Sequence, residues 1–71
     1  MAKLAPVDGR KLIKVLCNEF GFRAVRQKGS HVTLTNGEVY ITVPARQIGA
    51  GLLNVILKDC NVDREMFFEN L

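Results

Sequence analysis

Residues 26 to 31 read Arg-Gln-Lys-Gly-Ser-His, and His31 is the only histidine in the chain. Near neutral pH an imidazole can take or give a proton without large tuning, which suits general acid or base work on a ribose hydroxyl beside a phosphodiester. RNA carries its own nucleophile: once a base removes the 2′-hydroxyl proton, that oxygen attacks the neighbouring phosphorus with neither metal nor covalent enzyme intermediate. Arg26 and Lys28 could hold the phosphate and stabilise charge on its oxygens. Gly29 would let backbone approach a nucleic acid closely. The plainer reading is that an isolated histidine near a turn is a tolerated polar residue. Residue chemistry alone makes His31 capable and goes no further.

The charge distribution sharpens that picture. Residues 1 to 30 carry seven cations, Lys3, Arg10, Lys11, Lys14, Arg23, Arg26 and Lys28, against Asp8 and Glu19, a net of +5. Residues 31 to 71 carry Arg46, Lys58 and Arg64 against five acids, a net of −2. A basic half beside an acidic one suggests a polyanion contact on one side. At 71 residues the chain fits a single domain, residues 1 to 71, with a net stability of roughly 4 to 10 kcal/mol. A large enclosed cavity would be hard to sustain at this size. Cys17 and Cys60 lie far apart in sequence and, with one histidine, offer no zinc spacing; they are expected to be buried free thiols. No apolar run approaches a membrane span, and the first ten residues lack the apolar core of a signal peptide, so the expected address is the cytoplasm.

These residues need elements to position them. Asp8 is a good N-cap, with Val7 and Leu12 spaced as a hydrophobic staple. Leu12, Ile13, Leu16, Cys17 and Phe20 recur at helical spacing opposite Lys11, Lys14 and Asn18, and Gly21 supplies the stop. Phe22 to Gln27 reads as a strand of poor alternation that turns back through Lys28-Gly29-Ser30. A three-residue loop sets Gln27 opposite His31; a four-residue loop sets Arg26 there. Asn36-Gly37 reads as a two-residue type I′ hairpin turn, pairing Thr35 with Glu38, Leu34 with Val39, Thr33 with Tyr40, Val32 with Ile41 and His31 with Thr42. Val32, Leu34, Val39 and Ile41 then form a buried face, and His31, Thr33, Thr35, Tyr40 and Thr42 an open polar one. Pro44 ends that strand, and residues 45 to 51 read as a loop carrying Arg46. Leu52, Leu53, Ile56, Leu57 and Cys60 mark a second helix, and Asp63, with Val62 stapled to Phe67, caps a short third one to which Phe68 and Leu71 add apolar surface. The order α-β-β-β-α, with a three-stranded antiparallel sheet, helices on one face and a short C-terminal helix, is an α+β fold.

Taken together, Pro6-Val7, Gly21-Phe22, the Arg26 to His31 element, Val43-Pro44 and the segment from Gly51 to Leu57 followed by Val62 make this chain resemble the HicA family of mRNA interferase toxins. That resemblance covers nearly the whole length. It implies a double-stranded-RNA-binding-domain-like fold, endoribonuclease action on mRNA that inhibits translation, and a histidine serving cleavage, a role that falls here on His31. It also implies a HicB-type antitoxin partner; a metal is not implied, and no cofactor is expected. Candidate RNA contacts are Lys11, Lys14, Arg26, Lys28, Gly29, Ser30 and Arg46.

Three positions depart from the family pattern. Val32 and Ala45-Arg46 stand where relatives often have further histidines, and Gly49-Ala50-Gly51 stands where a Pro-Lys-Gly is frequent, which thins the expected phosphate grip at the second helix. The general acid is left open between Lys28, Arg46 and water. Two other classes of function fit the same residues: a double-stranded-RNA binder without chemistry, holding phosphates with Lys11, Lys14, Arg26 and Lys28, and a module whose open face docks another protein.

Overall fold

The computed structural model describes residues 7–69; Lys3, Pro6 and Leu71 lie outside them. Val7–Asp8 (β1) leads directly into a helix at Gly9–Glu19 (α1). Asp8 keeps an extended backbone, and its carboxylate accepts the Arg10 N–H at 2.9 Å, satisfying one of the donors left over in the helix's first turn. Val7 and Leu12 are both buried, as a staple requires. The helix turns Leu12, Val15 and Leu16 to the core, with Ile13, Cys17 and Phe20 half-buried beside them. Val15 is absent from the expected stripe: apolar residues span so wide an arc of this helix that periodicity alone does not fix its centre. At the other end Gly21 adopts φ +74°, so the chain reverses and Phe20 and Phe22 both donate to the Leu16 carbonyl, at 3.2 and 3.1 Å.

Three antiparallel strands follow, Arg23–Lys28 (β2), His31–Thr35 (β3) and Tyr40–Pro44 (β4), in the order β2-β3-β4. A short strand Gln47–Ile48 (β5), a second helix Ala50–Asp59 (α2) and a third Arg64–Glu69 (α3) complete the chain. The α-β-β-β-α layout with a C-terminal helix is as expected. Val32, Leu34, Ile41 and Val43 face the helices and share one core with Leu12, Leu16, Leu53, Leu57 and Phe67. Among the described residues no helix is long and apolar enough to cross a membrane.

The β3–β4 register differs from the sequence expectation by two residues. Thr35 pairs with Tyr40, Leu34 with Ile41, Thr33 with Thr42, Val32 with Val43 and His31 with Pro44. Asn36 does not take the positive φ that a type I′ turn needs; only Gly37 does, at +96°. Instead, side chains close a four-residue loop. The Asn36 carboxamide oxygen accepts the N–H groups of Glu38 and Val39, while the Thr35 hydroxyl donates to the Val39 carbonyl at 2.8 Å and accepts the Gly37 N–H at 3.0 Å. Those bonds bury the Thr35 side chain although its register keeps it in the outward row, and Val39 sits half-buried in the loop. Because the shift is by an even number, inward and outward residues keep their faces.

Residues 45 to 51 are not all loop. β5 pairs with β1, Val7 opposite Ile48 and Asp8 opposite Gln47, in a separate two-stranded sheet. Two-residue strands are too short for any periodicity, so only long-range pairing defines them. The Gly9 N–H donates to the Arg46 carbonyl at 2.6 Å, seating the start of α1 against the chain just past β4. Further on, α2 buries Leu53, Ile56 and Leu57 but leaves Leu52 exposed, against expectation. Asn61 at φ +58° ends it: the N–H groups of Asn61 and Val62 reach back to the carbonyls of Lys58 and Leu57, a Schellman motif. Asp63 then caps α3 through the Glu65 N–H, and Phe67 is fully buried.

The Gly9 contact makes an unusual demand on a helix residue. Alanine is ordinarily the better helix former by about 1 kcal/mol, yet a Cβ at Gly9 would overlap the Pro44 carbonyl oxygen and lie 2.7 Å from that of Arg46. Gly9→Ala is therefore expected to lower the melting temperature, as followed by circular dichroism. A value equal to or above the parent's would contradict this packing.

Candidate functional site

His31 opens β3, the central strand, and alternates with Val32 and Leu34, which are sealed in the core. Its own side chain is therefore carried to the solvent face, where it is exposed and has no hydrogen-bond or ion-pair partner among the described residues. The residue opposite it is Lys28, in place of either Gln27 or Arg26 as expected. The turn is shorter than either loop considered: Gly29 at φ +60° and Ser30 alone connect β2 to β3, and glycine at the first central position is what a type II′ turn requires. Directly opposed residues have Cβ atoms about 4.5–5.5 Å apart, so the Lys28 stem runs beside the imidazole.

The poor alternation of β2 has a local cause. Arg23 pairs with Thr35, Ala24 with Leu34, Arg26 with Thr33 and Lys28 with His31, and the register shifts at Val25, which has no partner on β3. In a regular strand Arg23 would fall on the face opposite Arg26 and Lys28. The bulge changes the parity and brings all three cations to the side that carries His31. Arg23 is thus a member of the site that no reading of period two could find. All of β2 is exposed, and the one ion pair among the described residues lies elsewhere, between Arg10 and Asp8 at 3.3 Å. The hydrogen bonds from Arg10 hold the Asp8 carboxyl below the usual carboxylate range. Arg23, Arg26 and Lys28 make no ion pair among the described residues and form a row of cations able to attract phosphates.

The other candidates divide. The Ala45 N–H donates to the Ser30 carbonyl at 2.5 Å, which ties the Gly29-Ser30 turn to the chain leaving β4 and brings the Arg46 backbone to the His31 end of the sheet. Arg26, Lys28 and His31 therefore share one face, with the Gly29-Ser30 turn and the Arg46 backbone at the same end of the sheet. Lys11 and Lys14 do not. They line a shallow groove with Arg10, Val15, Asn18 and Glu19 on the outer side of α1, the helix that packs on the sheet's other face. Gly49, the N-cap of α2, makes no side-chain cap bond, consistent with a plainer helix start there. The described residues gather no group of three or more His, Cys, Asp or Glu able to hold a metal ion.

The protein is thus a small α+β domain whose three-stranded sheet carries an exposed imidazole and a row of cations on one face and packs its helices on the other. Residues 9–62 match the family model described as HicA toxin of bacterial toxin-antitoxin. The chain belongs to the HicA toxin family and is the toxin member of a toxin-antitoxin system, with an antitoxin as its partner. No curated protein and no solved structure gives a significant match.

The two cysteines stand apart from the site as free thiols, Cys60 buried and Cys17 only half-buried. Burial, with the Asp59 charge adding to it, pushes the Cys60 thiol up to about 11. Since the thiolate is the reactive form, Cys60 should resist iodoacetamide at pH 8 in the folded protein and react once urea unfolds it. Mass spectrometry of the alkylated peptides checks this; rapid labelling of Cys60 under native conditions would contradict it.

Proposed function

We propose that this toxin is a metal-independent endoribonuclease that cleaves mRNA and thereby inhibits translation in the cytoplasm. His31 is the proton-transfer group. The observation that carries the reading is a single exposed, unpaired imidazole directly across the strand from Lys28, with Arg26 one row further along the same face.

In this reading an RNA phosphodiester lies over the His31 end of the sheet. Neutral His31 accepts the proton of the adjacent 2′-hydroxyl as that oxygen attacks phosphorus, and the bond to the 5′-oxygen breaks. The products are a 2′,3′-cyclic phosphate and a 5′-hydroxyl, the leaving oxygen taking a proton from Lys28, Arg46 or water. Lys28 and Arg26 hold the non-bridging oxygens, whose charge grows in the transition state. Gly29, which has no side chain, lets the RNA strand approach the backbone of the turn closely. A HicB-type antitoxin that covers this face would silence the enzyme by occluding the same groups. A duplex binder using Lys11 and Lys14 together with Arg26 and Lys28 is the weaker alternative, because one ligand would have to reach both sides of the molecule.

His31→Ala is expected to lower RNA cleavage by about 10²- to 10⁴-fold and to abolish growth arrest on induction, with circular dichroism and antitoxin binding unchanged. A chelator should leave the parent's rate untouched. Cleavage by purified His31→Ala at the parent rate would end the assignment.

A further inference from the structure

Tyr40 is 73% exposed, the most exposed large apolar side chain described in the protein. Its ring stacks on no other aromatic and its hydroxyl has no partner among the described residues. The core makes no use of it, so packing does not account for an aromatic here. Its position in the sheet does. Tyr40 pairs with Thr35, and Thr35 pairs with Arg23, so one row on the His31 side of the sheet has an exposed cation at the β2 edge and an exposed aromatic at the β4 edge, with the buried Thr35 between them. Two rows further lies Lys28–His31–Pro44, with Arg26–Thr33–Thr42 between. Along the strands the Tyr40 row is about 13 Å from the His31 row, at about 3.3 Å per residue.

We infer that Tyr40 and Arg23 form a subsite for single-stranded RNA, in which a base stacks on the Tyr40 ring and the neighbouring phosphate is held by Arg23. The inference rests on the endoribonuclease reading and deepens it. The cations on β2 form a track for the sugar-phosphate backbone; bases then reach across β3 toward β4, where the aromatic ring offers a face that every base can use. With one phosphate at the His31 row, the stacked base lies roughly two nucleotides away along an extended strand. A base inside a duplex is stacked on both faces and has none to give, so the subsite selects unpaired RNA. The bulge at Val25 is what makes it possible, because it alone turns Arg23 onto this side.

The test uses a randomised 12-nucleotide RNA pool fully 2′-O-methylated, which can bind but lacks the nucleophile for cleavage, alongside the unmodified pool. The chain has one tyrosine and no tryptophan, so intrinsic fluorescence reports Tyr40 alone. Expected results are quenching of that fluorescence, corrected for RNA absorbance, as the methylated pool binds the parent, and weaker binding by Tyr40→Ala of roughly ten-fold or more. Tyr40→Phe and Tyr40→Trp should bind as the parent does, and a pre-annealed duplex pool should not quench. Unquenched fluorescence with unchanged affinity of Tyr40→Ala, in a parent that cleaves the unmodified pool, overturns the subsite and leaves the cleavage reading standing. A parent that neither binds nor cleaves RNA overturns both. Loss confined to the antitoxin complex in Tyr40→Ala would likewise reject the RNA subsite, assigning the ring to a protein contact.

Discussion

The arrangement depends on one constraint: β3 buries Val32 and Leu34 on one face and so must present His31 and Thr33 on the other. Each of those aliphatic side chains contributes about 1.5–3 kcal/mol through burial. A slip of one residue would expose both to water while turning a histidine and a threonine into the core, at a cost comparable to the whole stability of a domain this size, roughly 4–10 kcal/mol. The orientation of the imidazole is therefore as secure as the fold itself. Nothing about His31 needs to be stabilising for it to be held outward.

Short-range devices then bring the other groups to that imidazole. Gly29 sets a two-residue turn that puts Lys28 across from His31, and the Val25 bulge returns Arg23 to the same side. Beyond β4, the Ala45 to Ser30 and Gly9 to Arg46 hydrogen bonds clamp the chain so that the turn, the end of the sheet and the start of α1 meet at one corner. Lys11 and Lys14 lie along the outer side of α1, so the described cations of the first thirty residues are shared between two surfaces rather than collected on one.

Most of this architecture was legible because its signals are local. Asp8 and Asp63 as caps, Gly21 as a stop, the α-β-β-β-α order and the outward face of His31 follow from spacing and turn chemistry within a few residues. What was not legible depends on competition or distance. At Asn36-Gly37 two local devices compete, and side-chain bonds from Thr35 and Asn36 win over the type I′ backbone, shifting the register by two. The β1–β5 pairing joins segments forty residues apart. A bulge leaves in sequence only a broken alternation, so Arg23 could be counted as charge but not assigned to a face. The role proposed for His31 was the least legible: any exposed histidine has this chemistry, and the proposal rests on the family resemblance together with the cations aligned beside it.

The central claim is that the open face of the three-stranded sheet, rather than the helical side, receives RNA. Amide chemical-shift mapping of the ¹⁵N-labelled protein with a 2′-O-methylated single-stranded RNA tests it most directly. The account predicts perturbations at Arg26, Lys28, His31, Thr33 and Thr42 and little change across Lys14 and Asn18 of α1. Shifts confined to the helices, with the strand residues still, would contradict it.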